Sequence, residues 1–248
     1  MRPLIAALSI GTLAFVVAVA ATTASPQSVA STTSEVRATS APYATADPRD
    51  TSRIDASATL GRLPLGERSD RRLRVVRGLA LPLEGVALPT EAELLPNASR
   101  EFRAGWHEGI DYPAPSDTPV RAVGAGTVVR VDRDFEDWSP ESESAALAQA
   151  VELGYTPAVT LDRIRGRQVW IDHGRGVVSR YAHLSAVADL VVGETVERGQ
   201  VVGAVGSSGF EEGGPHLHLE VRIGTSYLGD GLLGDALVRV IGAAFDSP

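Results

Sequence analysis

Residues 120–131 read V-R-A-V-G-A-G-T-V-V-R-V. Valines predominate, glycines fall at 124 and 126, and the stretch carries no acid and no helix-favouring run. β-Branched residues punctuated by glycine pack well on a pleated, half-buried surface and poorly in a helix. Similar runs follow at Gln168 to Asp172, Gly176 to Tyr181, Thr195 to Val205 and His216 to Arg222. Turn residues separate them at short intervals, which is the pattern of an antiparallel all-β domain. Upstream, Pro82, Pro89, Pro96, Pro113, Pro115 and Pro119 exclude any long helix before residue 120, because proline removes a backbone donor and clashes with the preceding turn.

One segment breaks the β pattern. Residues 139–154 read S-P-E-S-E-S-A-A-L-A-Q-A-V-E-L-G. Pro140 suits a first helical position, Glu141 and Glu143 suit the positive end of a helix dipole, and Gly154 suits its end. The segment is expected to be a short helix inserted between strands, with Leu147, Ala150, Val151 and Leu153 turned inward.

The flanks differ in kind. Leu4 to Ala21 is an uncharged stretch after Met1-Arg2, and Ala18-Val19-Ala20 supplies a small-residue cleavage pattern. Residues 1–24 therefore read as an export signal, with a retained membrane anchor through residues 4–21 as the second reading. Residues 25–77, rich in Ala, Ser, Thr and Pro and then in Arg, read as a disordered linker. Its end, Arg68 to Arg77, reads as a solvated strand leading into a domain over 78–248, ahead of an envelope-binding patch. The expected location is the cell envelope or the outside of the cell.

Composition limits the chemistry. The chain of 248 residues has no cysteine, and its 23 basic residues are all arginine. Disulfides, thiolate nucleophiles and cysteine zinc sites are excluded, as are Schiff-base lysines and lipoyl or biotinyl attachment. A net charge of −8 argues against nucleic acid as a partner, since phosphate binding needs clustered positive charge. Histidines and carboxylates must carry any reaction.

The five histidines all lie between residues 107 and 218. They occur in His107-Glu108-Gly109-Ile110-Asp111, in Asp172-His173-Gly174, in Tyr181-Ala182-His183-Leu184 and in Gly214-Pro215-His216-Leu217-His218-Leu219-Glu220. Residues two apart on a strand share a face at about 6.5–7 Å, so the two histidines of H-L-H cannot both be optimal ligands of one ion. His107 and Asp111 would be about 13 Å apart on an extended strand, and only a turn at Gly109 brings them together. Two nitrogens and one carboxylate form the open, three-ligand arrangement of hydrolytic zinc, in which a bound water becomes acidic. The remaining histidines are then available as proton carriers or oxyanion donors.

As a set, these motifs resemble the lysostaphin-type (LytM-like) zinc endopeptidases, the duplicated hybrid motif family. The resemblance spans about residues 106–222 and includes H-x-G-x-D at 107–111, A-P-x-x-T-P-V at 114–120 and H-G-x-G at 173–176. It continues with Y-x-H-L at 181–184, a V-x-x-G-x-x-V-x-x-G-Q-x-x-G-like run at 190–203 beginning with Leu190, and G-P-H-L-H-x-E at 214–220. It implies an antiparallel β-roll or sandwich and one Zn2+ per chain held by His107, Asp111 and His218. It further implies His183 and His216 as the catalytic pair, and peptidoglycan stem or cross-link peptides as substrate. His173 reads as structural. A non-catalytic domain of the same fold that binds the wall or activates an amidase is the alternative. A lipoyl or biotinyl carrier, which shares the V-x-x-G-x-x-V pattern, is rejected for want of a lysine.

The chain departs from the family in three places. The loop 206–213, G-S-S-G-F-E-E-G, is one residue longer than usual and carries two acids. Asp117 stands at a common turn glycine. The connection over residues 132–166 is far longer, with an acidic first half. These changes bear on specificity: Trp106, Tyr112 and Phe210 either line a groove or pack the core, and Glu211 and Glu212 either repel an acidic stem peptide or bind an amine. Glu220 shares the strand face of His218 and reads as a ligand-orienting group or a rim salt bridge.

Overall fold

The computed structural model describes residues 70–245. The segment read as signal or anchor over 1–24, and the linker up to residue 69, lie outside the described residues. Among the described residues no helix is long and apolar enough to cross a membrane.

Among the described residues twelve strands run β1 (Ser99–Arg100), β2 (Gly105–Trp106), β3 (Ile110–Pro113), β4 (Pro119–Arg121), β5 (Gly126–Val131), β6 (Val169–Asp172), β7 (Val177–Ala182), β8 (Leu184–Val187), β9 (Thr195–Val196), β10 (Val201–Val205), β11 (His216–Ile223) and β12 (Ser226–Tyr227). The helices are α1 (Pro140–Leu153), α2 (Ala158–Ile164) and α3 (Gly234–Ala244). The main sheet has the order β12-β11-β7-β6-β5-β9, with β3 also pairing β11; a second sheet has the order β4-β10-β8. Every strand pair is antiparallel. The expected antiparallel β architecture is thus the observed one.

Two of the β-branched runs are each divided between the main sheet and the small one. Residues 120–131 leave the small sheet after Arg121 and enter the main sheet at Gly126; residues 195–205 pass from β9 in the main sheet to β10 in the small one. Such exchanges join the sheets around one core. Val120, Leu184, Val202 and Val205 from the small sheet pack with Ile110, Tyr112, Val128, Ile171, Tyr181 and Leu217 from the main one.

Helix α1 forms as its sequence suggests. Ser139 Oγ accepts the Ser142 N–H, Pro140 opens the helix, and Gly154 closes it at φ 73°. Its packing differs from expectation: Ala150 is buried, whereas Val151 and Leu153 are 50% and 46% exposed. A second insertion helix, α2, and the C-terminal α3 add to the one helix expected. Leu237, Ile241 and Ala244 of α3 are buried at i, i+4, i+7 spacing, as an amphipathic helix requires. Arg71–Val75 form a 3-10 helix capped by the Asp70 carboxylate, with Leu73 buried in the core, in place of the solvated strand. The cap, which satisfies the Arg72 N–H, and the burial of Leu73 both hold this turn in place.

The site depends on β11. Leu217, Leu219, Val221 and Ile223 face the core, so alternation turns His216, His218, Glu220 and Arg222 to the opposite face. That face is not solvated. His218 is 9% exposed, Glu220 1% and Arg222 7%. A polar strand face buried this deeply must have partners for every charge it carries.

Candidate metal centre

β3 lies beside β11 with Asp111 opposite His218 in the register. Asp111 Oδ1 is 2.7 Å from His218 Nδ1 and 2.9 Å from His107 Nε2, and the two nitrogens are 3.1 Å apart. The expected turn at Gly109 brings His107 back over the strand. A Cβ at Gly109 would lie 2.6 Å from the Leu219 carbonyl and 2.8 Å from the His218 ring, so only glycine fits there. His107, Asp111 and His218, expected together from the resemblance, are together, with ligand atoms within 4.8 Å of one another.

The protons decide what such a cluster can hold. His107 Nδ1 is 2.8 Å from the Leu95 carbonyl, which only accepts, so Nδ1 carries the proton and Nε2 a lone pair. His218 Nε2 lies 3.1 Å from Glu220 Oε1, so the neutral ring donates there and turns the lone pair of Nδ1 inward. Arg100 donates to Asp111 Oδ2 at 3.2 Å, leaving Oδ1 for the cluster. Three acceptors then face one point, an arrangement that needs a positive charge among them. Burial would lower His218, but Asp111 and Glu220 outweigh it and hold the ring up at about 8. Burial raises the Asp111 carboxyl, and His107 and His218 more than reverse this, holding it well below the usual range. A divalent cation answers the same need as that proton. Two imidazole nitrogens and one carboxylate oxygen, with their other atoms hydrogen-bonded, are the donor set of an open zinc site.

His183 and His216 stand beside this cluster. Their ring centroids are 4.6 Å apart, and His183 is 5.8 Å from the His218 ring. His183 occupies the left-handed region at φ 59°, strain of the kind found at functional turns. Its N–H donates to the Arg165 carbonyl at 2.8 Å, and its Nδ1 to the Ser208 carbonyl at 2.9 Å. Burial first, then His216 and His218, pushes His183 down to about 3. His216 Nδ1 donates to the Gly214 carbonyl at 2.8 Å. In both rings the position open to exchange a proton is therefore Nε2. All five residues line a cleft of about 390 Å³.

The aromatic residues divide. Tyr112 is fully buried in the core, whereas Phe210 lines the cleft and stacks on Phe102 with centroids 5.3 Å apart. Trp106 is part-buried and does not line the cleft. Glu211 and Glu212 form an exposed turn beside the insertion. Partial burial, and then the charges of Glu212, Glu211 and Asp137, raise the Glu143 carboxyl, so these acids share one rim. His173 does not line the cleft. Its Nδ1 donates to the Ala125 carbonyl at 2.8 Å and its Nε2 is 2.8 Å from Ser179 Oγ.

Glu220 is a buried ion-pair partner as well as a neighbour of His218. Arg165 Nε reaches Oε1 at 2.7 Å, and Arg222 and Arg180 reach Oε2 at 2.8 and 3.4 Å. Glu108 joins through Arg165 and Arg222 at 2.7 and 3.0 Å. Arg100 and Arg165 are the site residues that local pattern does not reveal. No spacing ties them to the histidines, and an arginine-only sequence offers many equal candidates.

A family model described as Peptidase family M23 matches residues 105–229. DD-carboxypeptidase/endopeptidase Mpg of Neisseria meningitidis serogroup B is 38% identical over 117 residues, 47% of this chain and 20% of that protein. Peptidoglycan DD-endopeptidase ShyC of Vibrio cholerae is 29% identical over 117 residues, with the same coverage of 47% and 20%. The match thus spans about a fifth of the length of these relatives. Among solved structures, a zinc containing peptidase from Vibrio cholerae is 23% identical, with 64% of this chain and 41% of that chain covered and a TM-score of 0.43.

Proposed function

The chain belongs to peptidase family M23, whose model covers half of it, and from that membership we propose an exported, zinc-dependent endopeptidase that hydrolyses peptide bonds of bacterial cell-wall peptidoglycan. The observation that carries this reading is the convergence of His107 Nε2, Asp111 Oδ1 and His218 Nδ1 on one point beside the His183–His216 pair. The names of the peptidoglycan relatives support the substrate class, and the uncharged stretch from Leu4 to Ala21 supports export.

His107, Asp111 and His218 would hold zinc. When bound, zinc supplies a Lewis acid that polarises a carbonyl and acidifies water. The remaining work belongs to the protein's own groups. His183 and His216 are each tied through Nδ1 to a backbone carbonyl, which keeps Nε2 as the working atom. A neutral His183 takes a proton at Nε2 from the attacking water and the same proton is then delivered to the leaving amine, while His216 Nε2 steadies the oxyanion only when its ring carries a second proton. Phe210 and Phe102 form an apolar wall against which a peptide can lie.

The test is to incubate the zinc-loaded protein with purified sacculi and to identify released fragments by mass spectrometry. Cut stem or cross-link peptides with intact glycan strands are expected. Sugar-bond cleavage would overturn the reading. Intact sacculi and no stoichiometric zinc would favour a non-catalytic wall-binding or amidase-activating domain.

A further inference from the structure

The insertion over residues 132–166 is built into the metal centre. Its first half grips the loop that precedes the H-L-H strand: the Asp137 carboxylate accepts the Gly209 N–H at 2.6 Å, and Trp138 Nε1 donates to the Gly209 carbonyl at 3.0 Å. Ser208, next to it, is the residue whose carbonyl holds His183. Its second half lies over the polar face of β11. Asp162 of α2 pairs with Arg130 through two hydrogen bonds at 2.7 and 2.8 Å. Arg165, just past the end of α2, is 6% exposed.

Arg165 touches the centre twice. Its carbonyl accepts the His183 N–H at 2.8 Å. Its Nε donates to Glu220 Oε1 at 2.7 Å, and this same oxygen lies 3.1 Å from His218 Nε2. The other carboxylate oxygen, Oε2, is held independently by Arg222 and Arg180. Glu220 is therefore anchored at Oε2 without Arg165, whereas the direction of Oε1, the acceptor that sets the ring of His218, rests on Arg165. A partner that orients a metal-binding imidazole in this way fixes both its tautomer and its angle.

We propose that Arg165 is a positioning residue for the metal centre, one that the insertion supplies and that acts by fixing Glu220 Oε1 against His218. The proposal rests on the reading of His107, Asp111 and His218 as zinc ligands. It makes the insertion part of the apparatus that orients a ligand, in addition to any part it plays in specificity. Because Oε2 keeps two arginines, loss of the Arg165 side chain leaves Glu220 charged and paired, and the fold is expected to survive.

The test compares Arg165→Met and Arg165→Lys with the unaltered full chain, by chelator competition for zinc affinity and by the visible spectrum of the cobalt-substituted protein. Arg165→Met is expected to weaken zinc binding on the order of 10–100-fold and to shift the cobalt bands. Arg165→Lys should recover part of both, since an ammonium can hold one carboxylate oxygen but lacks the planar fork that spans Glu220 and Glu108. A role confined to stability would lower the melting temperature of the chelated protein and leave the cobalt spectrum of the folded fraction unchanged. Wild-type zinc affinity with unshifted cobalt bands in Arg165→Met would overturn the proposal. If that variant does not fold, wild-type affinity and bands in Arg165→Lys would do the same. Failure of the unaltered chain to bind zinc would instead overturn the ligand assignment, and the proposal with it.

Discussion

Asp111 on β3 and His218 on β11 are register partners, and their side chains meet at 2.7 Å between Oδ1 and Nδ1. Backbone pairing of two strands thus sets the distance between two candidate ligand atoms on residues 107 apart in the chain. A site held by a strand ladder is stiffer than one held by loops, and its donors need little reorganisation on binding a cation.

Replacing the anionic member of this pair tests the metal centre directly. Asp111→Asn keeps the shape and removes the charge that balances a cation. Zinc retained after gel filtration, measured by elemental analysis, should fall from about one per chain to a small fraction, with hydrolysis of sacculi lost in parallel. Full zinc occupancy in this variant would refute Asp111 as a ligand.

The two remaining cleft histidines should behave oppositely. His183→Ala and His216→Ala leave the three donors in place, so zinc content should stay at the wild-type level. Turnover of sacculi should fall on the order of 10²–10³-fold, the usual cost of removing one positioned donor. Zinc loss in either variant would assign that histidine to the ligand set.

Gly109→Ala probes the turn. A methyl there meets the Leu219 carbonyl at 2.6 Å and the His218 ring at 2.8 and 2.9 Å. The backbone must move away from β11, which should cost about 1–3 kcal/mol of stability and weaken zinc binding as well. Denaturant unfolding of the chelated protein, together with chelator competition, measures both. Unchanged values for both would show that the turn can shift freely.

His173 offers a pH test away from the ligands. Burial lowers its pKa below the ordinary value of 6.5, partly opposed by the Ala125 carbonyl and Asp172. The unfolded chain therefore binds this proton more readily than the folded one. The neutral ring contributes stability that is fully present above about pH 6.5 and is lost as pH falls toward the lower folded value. The melting temperature of chelated wild type minus that of chelated His173→Gln should accordingly rise with pH through this window. A difference that does not change with pH would exclude the depressed pKa.

The two halves of the architecture differ in how far local sequence reveals them. Alternation in 216–223 separates Leu217, Leu219, Val221 and Ile223 from His216, His218, Glu220 and Arg222, and this is legible because strand period depends only on neighbouring residues. The α1 caps are legible for the same reason: Ser139 and Gly154 act on the helix they adjoin. The inward side of α1 is less so, since Val151 and Leu153 lie exposed and the choice belongs to whatever packs against the helix. Division of 120–131 and 195–205 between two sheets also depends on strands distant in the chain.

Sequence alone determined that the chemistry falls to histidine and carboxylate, that the domain is antiparallel β, and which five residues the family resemblance marks. Cysteine and lysine are missing, and strand patterns and short motifs are local properties. Only the tertiary structure decided what covers the polar face of β11. Glu220 reads as an orienting group or a rim salt bridge until Arg165 of the insertion, 55 residues away in the chain, is seen 2.7 Å from it and the carboxylate is found buried. Whether a charge is buried depends on what folds over it, and burial is what turns a strand-face glutamate into the partner that orients His218.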